Sequence, residues 1–295
     1  MTGQEAQALV DQGIQQLIEE PDAWEQWAST YAKFPRYSPG NVLLIMSQKP
    51  DASYVAGYHA WQGLGRQVAK GEHGISILAP ILKKQPDPEQ PKAPPKPQLV
   101  GFRAATVFDV SQTQGRELNL PTPKALTGNH LKDLLTAMIQ SAVPVPVSFV
   151  AMKEAYGVWS PAEQRIQIRE DAEPNQQLKT LLHEWSHSLG VQTPEQAKDR
   201  HVGTEEITAE TTAYILSKTV GLDTTEYSQG YVGSWSQGDP KKVLAVQSAV
   251  AERVHAISDA LQAAAEQDPT IAQAIQGWQT PKPKQQQQEE DSLSR

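Results

Sequence analysis

The run His183-Glu184-Trp185-Ser186-His187 constrains the fold of this chain more than any other stretch. Its H-E-x-x-H spacing is productive only on an α-helix, where residues four apart share a face and two imidazoles can reach one point in space. The flanking residues agree with that requirement. Leu178, Leu181, Leu182, Trp185 and Leu189 form an apolar stripe of helical period, Pro174 and Asn175 stand where the helix should begin, and Gly190 falls where a left-handed C-cap is expected. With both histidines on one ion, Glu184 lies within reach of a water held there. A solvated surface helix that matches the pattern by chance is the bland alternative.

Two histidines on a catalytic divalent ion call for a third protein ligand and one open position. An acidic cluster, Glu205, Glu206 and Glu210, follows at once, on a stretch that reads as a helix from Thr204 to about Gly221 with Thr204 as N-cap. Glu206 and Glu210 share a face, and the small Ala209 and Ala213 allow close approach to the first helix. The expected division of labour makes Glu206 the third ligand, with Glu210 as its rival for that role or as acceptor for the far nitrogen of a ligating histidine. Glu205 is read as favouring the helix dipole. Zinc, one ion per chain, suits two imidazoles and a carboxylate, with Glu184 as general base. His201, Tyr156 and Tyr214 are all candidates to stabilise an oxyanion. Upstream, Gly157–Ser160 and Arg165–Ile168 read as a hairpin.

Composition narrows the remaining choices. The 295 residues suffice for two domains, and 38% hydrophobic content supports real cores. The absence of cysteine excludes disulfides, a thiol nucleophile and thiolate-bound zinc, and suits a reducing cytoplasm. No apolar run has the length of a membrane span, and the N-terminus lacks a basic-then-apolar signal region. Although the net charge is −8, the segment from Tyr31 to Lys84 holds seven basic and two acidic residues, a local +5. Aromatic residues are interleaved there (Tyr31, Phe34, Tyr37, Tyr54, Tyr58 and Trp61). Cations to follow phosphates and rings to stack bases are what unpaired nucleic acid requires, although rings in such a segment also serve as core.

Amphipathic helices are expected over 3–20, from Asp22 through Tyr31, and from a Ser38-Pro39 start to Gln48, with a short helix over Tyr58–Leu64. Strands are expected at Gly65–Val68, Ile75–Ile81 and Leu99–Phe108, around a proline- and lysine-rich loop at 83–98. The long C-terminal helix, Pro240 to Gln267, keeps Val243, Val246, Val250, Val254, Ile257 and Leu261 on one face.

Several runs in order resemble the N-terminal domain of ArdC-type antirestriction proteins: Tyr37-Ser38-Pro39-Gly40-Asn41, Gln48-Lys49-Pro50, Val55–Tyr58 with Trp61, Gly65–Val68, Lys70–Ile75 and Val107–Thr113. The second half resembles the zinc-metallopeptidase-like domain of the same family at His183, Glu184 and His187, at Glu206–Glu210 and at Tyr231–Trp235. That resemblance implies an α+β chain. Residues 1–122 would form a small domain that binds single-stranded DNA and residues 123–278 a mostly helical zincin-like domain with a small sheet; the polar, glutamine-rich residues 279–295 read by composition as a disordered tail. It also implies a role in protecting incoming DNA of mobile elements, with a protein substrate possible. The expected nucleic-acid contacts are Arg36, Tyr37, Asn41, Lys49, Tyr58, Trp61, Arg66, Lys70 and Arg103. A DNA-shielding protein whose metal is only structural is the alternative.

Overall fold

A computed structural model describes residues 2–85, 96–118, 129–199, 202–222, 224 and 235–276. The fold is mixed α+β with small sheets. It divides into two compact units. The first takes the chain up to Gly13 and Gly40–Glu117; the second takes Ile14–Pro39 and Leu118–Thr280. The middle of the proline-rich loop, the expected linker Pro121–Thr127, His201, Tyr231–Ser234 and the tail 279–295 lie outside the described residues.

The helices α1 (Gly3–Glu19), α2 (Ala23–Lys33) and α3 (Pro39–Gln48) fall where periodicity places them. They are followed by β1 (Val55–Gly57), α4 (Tyr58–Gly63), β2 (Arg66–Val68), β3 (Ile75–Gln85), β4 (Lys96–Asp109) and β5 (Thr113–Gly115). The first unit holds an antiparallel sheet of order β1-β4-β3 and an antiparallel pair β2-β5. The β3–β4 pairing runs on to Gln85 and Lys96, so both ends of the segment read as a loop are strand.

The free edge of β3 is covered by side-chain amides of α3. Asn41 donates from Nδ2 to the Leu78 carbonyl (2.9 Å) and accepts at Oδ1 from its amide (2.8 Å); Gln48 does the same with both groups of Ser76 (2.9 Å each). Seven residues make two helical turns, and Ser76 and Leu78 alternate toward one edge, so the register of helix and strand match. The arrangement satisfies a row of backbone groups that an open edge would leave for another strand. Asp109 gathers the amides of Ser53, Tyr54 and Ser111, and Gln112 closes the cap on Asp109 N–H, which accounts structurally for the Val107–Thr113 run.

Three expected nucleic-acid contacts are instead engaged within the fold. Asn41 is 8% exposed with its amide committed to Leu78. Trp61 is fully buried and donates its indole N–H to the Phe108 carbonyl (2.9 Å). The Arg66 guanidinium is spent on Thr113 Oγ1, the Thr113 carbonyl and the Arg116 carbonyl, tying β2 to β5.

The second unit contains α2, α5 (Asn129–Ser141), β6 (Val147–Val150), β7 (Gly157–Ser160), β8 (Arg165–Arg169), α6 (Pro174–Gly190), α7 (Pro194–Asp199), α8 (Val202–Thr219), α9 (Pro240–Ala265) and α10 (Pro269–Ala274). Its sheet has order β6-β8-β7, with β6 parallel and β7 antiparallel to β8. Ile166 and Ile168 are fully buried, as are Leu178, Leu181 and Leu182 of α6 and the whole expected apolar face of α9 except for a trace at Val246. Trp24 of α2 is buried and donates its indole N–H to Thr211 of α8 (3.0 Å). Two local readings differ. The helix α8 begins at Val202, so Thr204 is inside it and not its cap, and Gly190 ends α6 without the positive φ of a left-handed cap.

Replacing Asn41 with Ala removes both bonds to Leu78. A loss of about 2 kcal/mol in folding stability is expected. Urea unfolding followed by tryptophan fluorescence measures it; an unchanged midpoint would return Asn41 to the surface.

Candidate metal centre

Helix α6 packs on α8 and on the β7–β8 hairpin. Its motif therefore faces a row of carboxylates on one side and an edge strand on the other. His183 Nε2 and His187 Nε2 face one another at 3.0 Å, and Glu206 Oε2 lies 3.5 and 3.4 Å from them. Among the described residues this trio forms a group able to hold a metal ion. A tetrahedral ion with bonds near 2.1 Å separates its ligand atoms by about 3.4 Å, so the donor set and its spacing fit a divalent metal.

The outward nitrogens are also engaged. His183 Nδ1 is 3.1 Å from Glu210 Oε2, and His187 Nδ1 is 3.0 Å from Glu205 Oε1. Each imidazole thus has a carboxylate behind it that favours the proton on Nδ1 and leaves Nε2 turned inward. Glu210 takes the position of far-nitrogen partner. Glu205, read from sequence as a helix-dipole residue, holds the second histidine and is itself gripped by Arg253 Nη1 (3.0 Å) and Nη2 (2.7 Å) from α9. Arg253 lies far along the chain, and no local pattern links it to the motif.

Glu184 is 8% exposed and accepts the backbone N–H of Trp159 on Oε2 (2.7 Å). Trp159 is anchored in turn by its indole N–H, which donates to the Val191 carbonyl (2.6 Å). The close approach of β7 to α6 requires Gly157, where a Cβ would lie 2.3 Å from Thr180 Cγ2 and 3.2 Å from Glu184 Cγ. An open cleft of about 330 Å³ is lined by Tyr156, Lys179, Thr180, His183, Glu184 and Glu210, among others. Of the oxyanion candidates, Tyr156 lines this cleft. Tyr214 is 2% exposed and does not line it, its hydroxyl 3.2 Å from Lys218 Nζ.

Burial raises the Glu184 carboxyl, with His183, His187 and the Trp159 amide opposing it. Burial alone would lower both histidines, but their carboxylate partners prevail: His183 rises to about 10, mainly through Glu206 and Glu210, and His187 rises through Glu205 and Glu206. Glu205 is pushed up by burial yet falls to about 2 under the hydrogen bonds of His187 and Arg253. Hydrogen bonds from the two histidines hold Glu206 well below the usual carboxylate range.

The remaining expected nucleic-acid contacts separate into two groups. Tyr58 (45% exposed), Lys70 and Arg103 are open on the first unit. Lys49 pairs with Asp51 at 2.9 Å. In the second unit, Arg36 is engaged by Asp259 and Gln262, and half-buried Tyr37 packs edge-on against Phe34. Phe102, which the sequence did not single out, is 58% exposed on β4 beside Arg103. No helix among the described residues is long and apolar enough to cross a membrane.

Residues 4–113 match the family described as the N-terminal domain of anti-restriction factor ArdC. An uncharacterized protein of Bacillus anthracis is 26% identical over 267 residues; the match covers 76% of this chain and 45% of that protein, so the chain spans under half of that relative's length. The crystal structure of the antirestriction ArdC protein from the R388 plasmid in metal-free form superposes with a TM-score of 0.49 at 19% identity, covering 78% of this chain and 86% of the other. Its Mn(II)-bound form gives 0.47 at 18%, covering 79% and 90%.

The facing Nε2 atoms leave room for one shared proton, which a metal ion must displace. In the metal-free chain the stability contributed by protonated His183 is complete below about 6.5 and lost as pH rises through about 10. Metal affinity should therefore rise with pH over that window, and near neutral pH each ion bound should release about one proton. Calorimetry in buffers of different ionisation enthalpy measures the release; none at pH 7 would contradict the shared proton.

Proposed function

We propose that this chain, whose residues 4–113 match the ArdC N-terminal domain family, is an ArdC-type antirestriction protein that binds single-stranded DNA and carries a zinc-dependent peptidase centre. The observation that carries the hydrolytic half is the convergence of His183 Nε2, His187 Nε2 and Glu206 Oε2 beside Glu184, at an open cleft. One zinc ion per chain would be held by those three atoms, where it would supply Lewis acidity and lower the pKa of water.

The chain's own groups account for the rest. Glu184 has one oxygen held by the Trp159 amide and the other free to take the proton of an attacking water. The same carboxyl can then pass the acquired proton to the leaving amine. Glu210 and Glu205 hold the imidazoles in the tautomer that presents Nε2. Tyr156, at the cleft and half exposed, is the hydroxyl donor for a developing oxyanion. The strand β7 forms one edge of its sheet, and an extended protein substrate would lie along it as an added strand.

For the DNA-binding half, the support is the family match and the exposed Tyr58, Phe102, Lys70 and Arg103 of the first unit. Rings stack on unpaired bases and cations follow the phosphates. A cytoplasmic location accords with this partner and with the absence of cysteine.

Replacing Glu184 with Gln should reduce peptide hydrolysis by about 10²- to 10⁴-fold while leaving zinc and DNA binding intact. An unchanged rate of hydrolysis, or protection of DNA indifferent to the substitution, would favour a shielding protein with a structural ion. Binding to unpaired oligonucleotides should weaken steeply with salt and exceed binding to duplex. Equal affinity for the two forms, in fluorescence anisotropy titrations, would contradict base stacking.

A further inference from the structure

Arg253 is a buried cation with a defined task. It sits in the middle of α9, 7% exposed, and lays its guanidinium bidentate on Glu205: Nη1 to Oε1 at 3.0 Å and Nη2 to Oε2 at 2.7 Å. Nη1 also reaches Ser186 Oγ at 3.3 Å, on the turn of α6 that carries His187. The same Glu205 Oε1 lies 3.0 Å from His187 Nδ1. A continuous chain of hydrogen bonds thus runs from α9 through α8 to the imidazole on α6.

A second observation comes from Gly190. Its φ is not positive, so conformational freedom does not explain the glycine. Space does. A Cβ at 190 would lie 1.8 Å from Arg253 Nη2, 2.5 Å from Cζ and 3.1 Å from Glu205 Oε1. The last turn of α6 is left without a side chain where the guanidinium passes.

We propose that Arg253 is a positioning residue for the metal centre: by fixing the plane of the Glu205 carboxylate it holds His187 with Nδ1 protonated and Nε2 aimed at the ion. This rests on the reading of His183, His187 and Glu206 as metal ligands. A lone carboxylate could turn about its terminal torsions and offer His187 a poorly directed acceptor. The planar fork of arginine engages both oxygens at once and removes that freedom, which a lysine ammonium cannot do. Outer partners of metal-bound histidines set ligand orientation in this way.

The test uses the full chain and zinc alone, with affinity read by competition against a chromophoric chelator. Arg253→Met should weaken zinc binding by about 10- to 100-fold. Arg253→Lys, which keeps the charge but loses the fork, should recover only a small part of that loss. Gly190→Ala, which changes no charge and displaces the guanidinium, should weaken binding in the same direction. Glu205→Gln and Arg253→Met should be non-additive when combined, since both act on one link. In ¹⁵N spectra of the zinc-loaded protein, His187 should be Nδ1-protonated and bound through Nε2 in the parent chain, and a mixture of orientations in Arg253→Met. Wild-type zinc affinity in folded Arg253→Met would overturn the proposal. If that variant fails to fold, wild-type affinity in Arg253→Lys and Gly190→Ala overturns it equally. A parent chain that binds no zinc would sink the metal-centre reading itself, a result distinct from a metal-binding parent whose affinity ignores Arg253.

Discussion

The second unit depends on the face-to-face packing of α6 and α8, which sets two imidazoles against three carboxylates, with His187 and Glu205 largely buried and Glu206 and Glu210 partly exposed. Glu206 points between the rings, while Glu210 and Glu205 stand behind them. Gathering those groups carries a desolvation cost that ordinary packing does not repay. It is offset by matching each ring nitrogen with an acceptor, and by burying Arg253 against the one carboxylate that lies deepest. The sheet contributes from the other side, where the Trp159 amide holds Glu184 and Gly157 lets the strand come close. The site is thus assembled from four elements, none of which forms it alone.

How much of this was legible in the sequence depended on whether the relevant spacing was local. His183, Glu184 and His187 are one helical turn, and Glu206 and Glu210 another, so helical periodicity was enough to place them on matching faces. Glu205 was ambiguous because a glutamate in a first helical turn satisfies the dipole whether or not it has a histidine behind it. Arg253 was invisible, since only the tertiary packing of α9 brings it to Glu205. Gly190 was misread for the same reason: at the end of a helix a glycine suggests a left-handed cap, and only the neighbouring guanidinium reveals that a missing side chain is what the position needs.

The first unit teaches the complementary lesson. Aromatic and amide residues in a basic segment read equally well as a binding face or as a core. Trp61 proved to be core, Asn41 and Gln48 proved to seal a strand edge, and Arg66 to bridge two short strands. Their order along the chain still agrees with the family match over residues 4–113, because residues that hold a fold together leave as regular a signature as residues that touch a ligand. Phe102, Lys70 and Arg103, by contrast, are exposed, as is Tyr58, which also packs edge-on against Phe108.

The central claim is that one divalent ion sits where His183, His187 and Glu206 converge. Anomalous diffraction from crystals of the zinc-loaded protein, recorded on both sides of the zinc absorption edge, tests it most directly. The account predicts a single strong peak within about 2.2 Å of His183 Nε2, His187 Nε2 and a Glu206 oxygen, with Glu205 and Glu210 behind the rings and outside bonding distance. A peak bound by Glu210 in place of Glu206, or none between the two imidazoles, would contradict it.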